Sequence, residues 1–151
     1  MPEPLLRPLR WWDLGAVQAL ERELFGPSAW SDETFWGELA QPSRRYLVAD
    51  ADGVVVGYGG VMVAGADADV QTLGVAPAGQ GRGTGRRLLR ALLAAAAGAG
   101  ATRIVLEVRA DGAAAQHLYR SEGFEQIARR PRYYQPGDVD AVIMRAPLRP
   151  R

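Results

Sequence analysis

The segment LGVAPAGQGRGTGRRLLR, residues 73–90, places glycine at every second position over Gly79, Gly81, Gly83 and Gly85. An apolar run precedes it and a leucine-rich segment follows. Glycine weakens an element unless the backbone needs a left-handed angle or another group must come close. A glycine-rich loop between a strand and a helix offers free backbone N–H groups at the positive end of the helix dipole, which is an anion site. A tight turn needs one or two glycines; this many in one loop point to a ligand. The other reading is a flexible turn whose glycines serve tight packing.

Three phosphate-binding patterns compete for the loop. The P-loop requires a lysine followed by serine or threonine, and every basic residue apart from His117 is arginine, so that pattern is excluded. The dinucleotide fingerprint requires Gly-x-Gly-x-x-Gly. Counted from Gly79 its last position is Thr84, and counted from Gly81 it is Arg86, so it fails too. The third pattern, Gln/Arg-x-x-Gly-x-Gly/Ala, is met by Gln80-Gly81-Arg82-Gly83-Thr84-Gly85.

The rest of the chain reads as an α/β frame around this loop. Residues 5–10 suit a short edge strand, because Pro8 removes a ladder donor. After Asp13, the residues Leu14, Val17, Leu20, Leu24 and Phe25 recur at near-helical spacing, and Gly26-Pro27 stops that helix. Ser31 is an N-cap candidate for a second helix carrying Thr34, Phe35 and Leu39, closed by Pro42. Residues 46–49 and 54–63 read as strands joined at Asp52-Gly53, a hairpin signal. Residues 70–75 form the strand that enters the glycine loop. Residues 86–97 are helical, with Leu88, Leu89, Leu92 and Leu93 as the buried stripe and Gly98 and Gly100 as the stop. A strand over 104–108, a helix over 113–120 capped near Asp111 or Gly112, a strand after Gly123-Phe124 and a last strand over 140–145 follow. Helices, an antiparallel meander, then alternating strand and helix predict a mixed α/β fold with a central sheet and helices on both faces. No linker or repeat interrupts the order, so residues 1–151 read as one domain.

Composition closes off several function classes. With 48% apolar and 23% charged residues the chain reads as globular, and a net charge of +1 gives no strong pull toward nucleic acid or membrane. The absence of cysteine excludes disulfides, thiolate metal sites and a cysteine nucleophile. His117 is the lone histidine, which makes no metal site and reads as a helix-surface residue. No apolar run reaches spanning length, and Met1-Pro2-Glu3-Pro4 lacks the basic start of a signal peptide, so a cytoplasmic protein is expected.

The loop and the order of elements together resemble the GNAT family of N-acetyltransferases over nearly the whole chain. The resemblance implies the GNAT fold, in which the central strand pair splays apart, and acetyl-CoA as co-substrate with no metal. It implies that the amides of Gly81, Arg82, Gly83, Thr84, Gly85 and Arg86 hold the CoA pyrophosphate, with the Arg82, Arg86 and Arg87 side chains as phosphate partners. The backbone of Leu73, Gly74 and Val75 would pair with the pantetheine arm as an added strand does. The Val75 amide would face the thioester oxygen as an oxyanion donor, and Gly74 would ease the splay.

A narrower resemblance rests on Leu106-Glu107-Val108-Arg109-Ala110, Ala113-Ala114-Ala115 and Leu118-Tyr119-Arg120-Ser121-Glu122-Gly123-Phe124. Trp30-Ser31-Asp32-Glu33-Thr34-Phe35 and Arg132-Tyr133-Tyr134 add to it. Together they are similar to the RimI type, which acetylates the N-terminal alanine of a small-subunit ribosomal protein. The chemistry demands a base for the attacking amine and an acid for the departing thiolate. Glu107, flanked by Leu106 and Val108, is expected to be partly buried; the resemblance makes it the base, acting through water. Read from residues alone it is also a solvated carboxylate on an open sheet face. The resemblance makes Tyr119 the general acid, where the residues alone suggest a core tyrosine beside Leu118. Gly112 stands where the subfamily usually has an asparagine that touches the CoA arm, so only backbone remains there and this cofactor contact is expected to be weaker or replaced by water. Trp30, Tyr133 and Tyr134 either line the acceptor groove or simply pack. Asp138 and Asp140 read as solvated turn residues or as attractors of a cationic N-terminus, and Trp11 and Trp12 as packing or interface residues.

The expected activity is acetyl transfer from acetyl-CoA to a protein N-terminus, the implied partner being a ribosomal protein, by direct attack in a ternary complex. No nucleic acid or membrane partner is expected, and a monomer or weak dimer is. Acetylation of lysine side chains or of a small-molecule amine remains open, as does a non-catalytic acetyl-CoA sensor. Whether the arginines at positions 145, 149 and 151 touch a ribosome is likewise open.

Overall fold

The computed structural model describes residues 3–149. Met1, Pro2, Pro150 and Arg151 lie outside it, and with them the first two positions of the Met1-Pro2-Glu3-Pro4 start and the last of the C-terminal arginines. Seven strands and four α-helices follow in the order β1 (Leu5–Pro8), α1 (Leu14–Phe25), α2 (Asp32–Leu39), β2 (Arg44–Ala51), β3 (Val54–Ala64), β4 (Asp67–Val75), α3 (Thr84–Gly98), β5 (Arg103–Arg109), α4 (Ala113–Ser121), β6 (Glu125–Tyr134) and β7 (Val139–Pro147).

Local chemistry accounts for most of the boundaries. β1 is an edge strand that ends at Pro8, where a missing donor costs nothing. The Asp52-Gly53 turn between β2 and β3 has both residues at positive φ, the demand of a tight hairpin that Asp-Gly meets well. Ser31 caps α2: its Oγ accepts the Thr34 N–H at 3.1 Å. Asp13 precedes α1 without capping it. Its carboxylate instead takes both ends of the Arg7 guanidinium at 2.8 Å and the Arg10 N–H at 2.8 Å, which ties the helix start to the sheet edge. In α3 the buried stripe is Leu88, Leu89, Leu92 and Ala96, and Leu93 is only half-buried. A straight helix turns its fourth leucine off the stripe and brings Ala96 onto it.

The sheet order is β1-β2-β3-β4-β5-β7-β6, and β4–β5 is its parallel pair, the other neighbours being antiparallel. Helices cover both faces. One core gathers Leu89, Leu92 and Ala96 of α3 with Tyr119 of α4 against Ile104, Leu106 and Met144. The other gathers Leu14, Val17 and Leu20 of α1 with Phe35 of α2 against Val48 and Tyr58. Between the cores, β4 and β5 stay paired only at Asp67–Arg103, Ala68–Ile104 and Asp69–Val105. Past that point they separate into a V-shaped gap in mid-sheet.

Candidate active site

The V is open because β5 leans on β7 along its whole length while β4 stays with β3. Ala76 donates its N–H to the Val56 carbonyl at 2.8 Å. Antiparallel strands alternate their bonding edge residue by residue, so the N–H groups of Val75 and Leu73 face the gap. The Val75 carbonyl faces the same way and is already taken by the Gln80 side-chain amide at 3.0 Å. The first glutamine of the loop motif thus secures the strand end and leaves the Val75 N–H available. Gly74 marks no bulge on the β3 side: its pairing with Tyr58 is regular, and the irregularity of that ladder lies at Gly60–Val61. What demands glycine at 74 is close approach. A Cβ there would lie 2.8 Å from the Tyr58 hydroxyl and 2.8 Å from Leu24 Cδ1.

The glycine loop turns from β4 into α3 without a side-chain cap. Gly81 and Gly83 have φ of +77° and +81°, the left-handed region that glycine alone enters freely. Arg87 makes the first helical bond, to the Gly83 carbonyl, so the N–H groups of Thr84, Gly85 and Arg86 have no helical acceptor. Gly85 has no conformational reason to be glycine. A Cβ there would make ordinary contacts with Val75 and Leu118 at 3.6 and 3.7 Å, so the fold itself leaves room for a side chain beside the free N–H groups. That arrangement fits a pyrophosphate. The three arginines fit it unequally. Arg86 is bound to α4, 2.6 Å from Glu122 and 2.8 Å from Ser121, and can serve the loop only through its N–H. Arg87 donates to the Pro4 carbonyl at 2.9 Å. Arg82 is exposed, and its guanidinium has no side-chain partner among the described residues.

Two cavities meet in the V. The first, about 240 Å³, is lined by Leu73 of β4, Glu107 and Val108 of β5, and Gly112 and Tyr119 at α4. The second, about 690 Å³, runs across β5 from β4 to β6 and is lined by Asp69, Glu107, Arg130, Tyr133 and Tyr134 among others. Glu107, Leu106, Trp30 and Tyr134 wall both. Along β5 the residues alternate: Ile104, Leu106 and Val108 enter the α3–α4 core, and Glu107 faces the other way. Glu107 is an exposed residue of β5, its side chain 33% exposed and 3.4 Å from the Arg130 guanidinium, so the expected partial burial is not met and the carboxylate stands at the open mouth of the two cavities. Tyr119 is buried edge-on against Phe124, with ring centres 5.8 Å apart, and its hydroxyl bonds no other residue among those described. Burial pushes the Tyr119 hydroxyl up to about 12. Tyr134 is pushed up to about 12 as well, by burial and then by the charge of Glu107.

The remaining sequence candidates sort by place. Trp30 packs at a tilt against Phe35, with ring centres 5.2 Å apart, and forms part of both cavity walls, so it both packs and lines. Tyr133 is exposed and lines only the second cavity. Gly112 sits at the N-cap of α4 and borders the first cavity. Asp138 and Asp140 are turn and strand-end residues bonded to Gln135, Arg129 and Arg132, away from both cavities. His117 is exposed on α4. Trp11 and Trp12 are 66% and 59% exposed, so core packing is not their role.

Sequence reasoning missed two residues here. Arg109, at the end of β5, reaches Ser28 at 3.2 Å and stacks on the Tyr134 ring at 5.3 Å, joining β5, β6 and the segment after α1 around the first cavity. Glu21 is buried on α1 and borders the same cavity. Arg109 stands in the strand motif around Glu107, which gave it no role of its own, and Glu21 stands in an amphipathic helix with no local signal; the partners of both lie on distant elements.

A splayed parallel pair, a free strand edge and an uncapped glycine loop define an acyl-CoA-dependent transferase. The acetyltransferase (GNAT) family model matches residues 11–124. The chain belongs to this family, whose members take their acetyl group from acetyl-CoA. It is 46% identical over 131 residues to the N-alpha-acetyltransferase RimI of Mycobacterium tuberculosis, covering 83% of this chain and 81% of that one. It is 37% identical over 140 residues to the ribosomal protein bS18-alanine N-acetyltransferase of Salmonella typhimurium, covering 90% and 92%. The crystal structure of the Escherichia coli ribosomal-protein-S18-alanine N-acetyltransferase superposes with a TM-score of 0.87 at 30% identity, over 95% of this chain and 93% of that one.

Proposed function

We propose that the whole chain, residues 1–151, is one RimI-like N-acetyltransferase domain that acts in the cytoplasm on the N-terminal α-amino group of a protein, with a ribosomal protein N-terminal alanine as the acceptor. The observation that carries the reading is Glu107, the carboxylate shared by two cavities that meet in the V: one suits the acyl donor, the other an incoming chain end. The relatives named for an N-terminal alanine substrate support the choice of acceptor.

In this reading the N–H groups of Leu73 and Val75 hold the pantetheine arm, and the Val75 N–H steadies the charge that develops on the thioester oxygen. The loop N–H groups from Gly81 to Arg86, with the Arg82 guanidinium, hold the pyrophosphate. Glu107 takes a proton from the acceptor amine, through water, as the new N–C bond forms. An α-amino group has a pKa near 8, so little proton affinity is needed to free it at neutral pH. As the C–S bond breaks, Tyr119 gives its proton to the sulfur. Its burial keeps that proton in place until it is wanted. Trp30, Tyr133 and Tyr134 border the chain end.

The test is CoA-thiol release from acetyl-CoA with a peptide that begins with alanine, beside its N-blocked twin carrying an internal lysine. Release with the free peptide alone is the expected result. Equal rates on the blocked peptide would move the assignment to lysine side chains, and tight acetyl-CoA binding with no release from any amine would make the protein a sensor.

A further inference from the structure

Glu21 lies in the middle of α1 and is 2% exposed, yet its hydrogen-bond partners are all neutral. One carboxylate oxygen accepts the Trp30 backbone N–H at 2.9 Å. The other accepts the Tyr58 hydroxyl at 2.7 Å and the Thr72 hydroxyl at 3.0 Å. The three donors come from three separate places: the segment between α1 and α2, β3, and the part of β4 that has left β5. Burying a carboxylate is costly unless its lone pairs are filled, and an apolar residue of like volume would pack α1 to the sheet as well or better. Stability alone therefore does not explain the choice. The neighbourhood is arranged to keep the contact: only a glycine at 74 leaves room for the Tyr58 hydroxyl that reaches Glu21. What Glu21 joins is functional in kind. Thr72 directly precedes Leu73 on the gap strand, and Trp30 walls both cavities.

We propose that Glu21 is a positioning residue for the acceptor: by gripping the Trp30 amide with one oxygen and the Tyr58 and Thr72 hydroxyls with the other, it locks the acceptor wall to the cofactor strand. The proposal rests on the two-cavity reading above. β4 has its own ladder to β3, so the donor side stands without Glu21, whereas Trp30 depends on it for the position of its backbone.

The experiment compares Glu21→Ala, Glu21→Gln and Thr72→Val with wild type, by steady-state kinetics on whichever amine the wild type turns over and by hydrogen exchange over residues 26–31. Glu21→Ala is expected to raise the acceptor KM about tenfold or more while the acetyl-CoA KM stays within about twofold. Glu21→Gln keeps the shape and an oxygen for the Trp30 amide, and is expected to restore the acceptor KM. Thr72→Val cuts only the β4 end of the grip and is expected to shift the acceptor KM in the same direction, by less. Exchange protection of 26–31 should fall in Glu21→Ala and return in Glu21→Gln. Two KM values that move together, no recovery with glutamine, or unchanged protection would overturn the proposal. Should the wild type turn over no amine, the acetyltransferase reading fails, and the exchange comparison still decides whether Glu21 holds the segment. Should Glu21→Ala fail to fold, the glutamine and Thr72→Val variants decide.

Discussion

At the scale of single residues, Glu107 is proposed to take the proton of the amine and Tyr119 to supply the proton for the thiolate, and their surroundings set out how each role can be tested. Glu107→Gln keeps size and hydrogen bonding but cannot take a proton, and is expected to lower kcat by about 100-fold or more. Tyr119→Phe keeps the edge contact with Phe124. It is expected to lower kcat about tenfold or more, with a melting temperature close to wild type, since the hydroxyl bonds no other residue among those described. Steady-state CoA release and thermal melts on the two variants check both. Both residues were legible in the sequence through the motif around them. Arg86 shows the limit of that legibility. Its place beside the loop suggested a phosphate partner, but Glu122 at the C-cap of α4 claims its guanidinium at 2.6 Å. Which way a long side chain turns is settled by the strongest partner within reach, and that partner lies on another element.

At the scale of elements, the junction of β4 and α3 is the proposed pyrophosphate site. The four glycines that drew notice in the sequence serve different ends. Gly81 and Gly83 are needed for positive φ. Gly79 sits where a Cβ would meet Val75 at 3.3 Å, and Gly85 where a Cβ would meet nothing closer than 3.6 Å. Gly85→Ala therefore separates folding from binding. Alanine in a helix is favoured over glycine by up to about 1 kcal/mol, which raises the melting temperature by about 2–4 °C in a domain of this size. If the loop amides hold the pyrophosphate as proposed, a methyl beside the free Gly85 N–H crowds it, and the acetyl-CoA KM is expected to rise about tenfold. Calorimetric melts and titration with acetyl-CoA read the two effects; a more stable variant with unchanged acetyl-CoA binding would take the pyrophosphate away from Gly85.

At the scale of the whole molecule, stability is bounded in pH by groups that link elements. Arg7 holds the Asp13 carboxyl below the usual carboxylate range, and Arg90 with Arg86 does the same for Glu122. A depressed carboxyl contributes stability above its unfolded value near 4 and loses it as pH falls through the folded value. Burial raises Tyr46 and Tyr58, and raises Tyr119 and Tyr134 to about 12. Unfolded tyrosine ionises near 10, so their contribution is complete below about pH 10 and is lost as pH rises toward the folded values. Urea midpoints are expected to be highest near neutral pH and to drop at about pH 3 and about pH 11, with Glu122→Gln flattening the acid side.

The sequence by itself determined the class of fold, because hydrophobic periodicity, Ser31, Asp52-Gly53 and the glycine loop are local signals that act within a turn or two of chain. It also determined the donor-side motif, since a phosphate cradle is built from consecutive backbone amides. Only the tertiary structure decided the V itself, which arises because β5 follows β7 and β4 follows β3. Only it brought Glu107 of β5, Tyr134 of β6 and Trp30 of the segment before α2 to the same pair of cavities, and only it buried Glu21 against Thr72, 51 positions away. Periodicity reports which face of an element is covered; what covers it, and which side chains converge there, depends on contacts between segments that the order of residues does not place side by side.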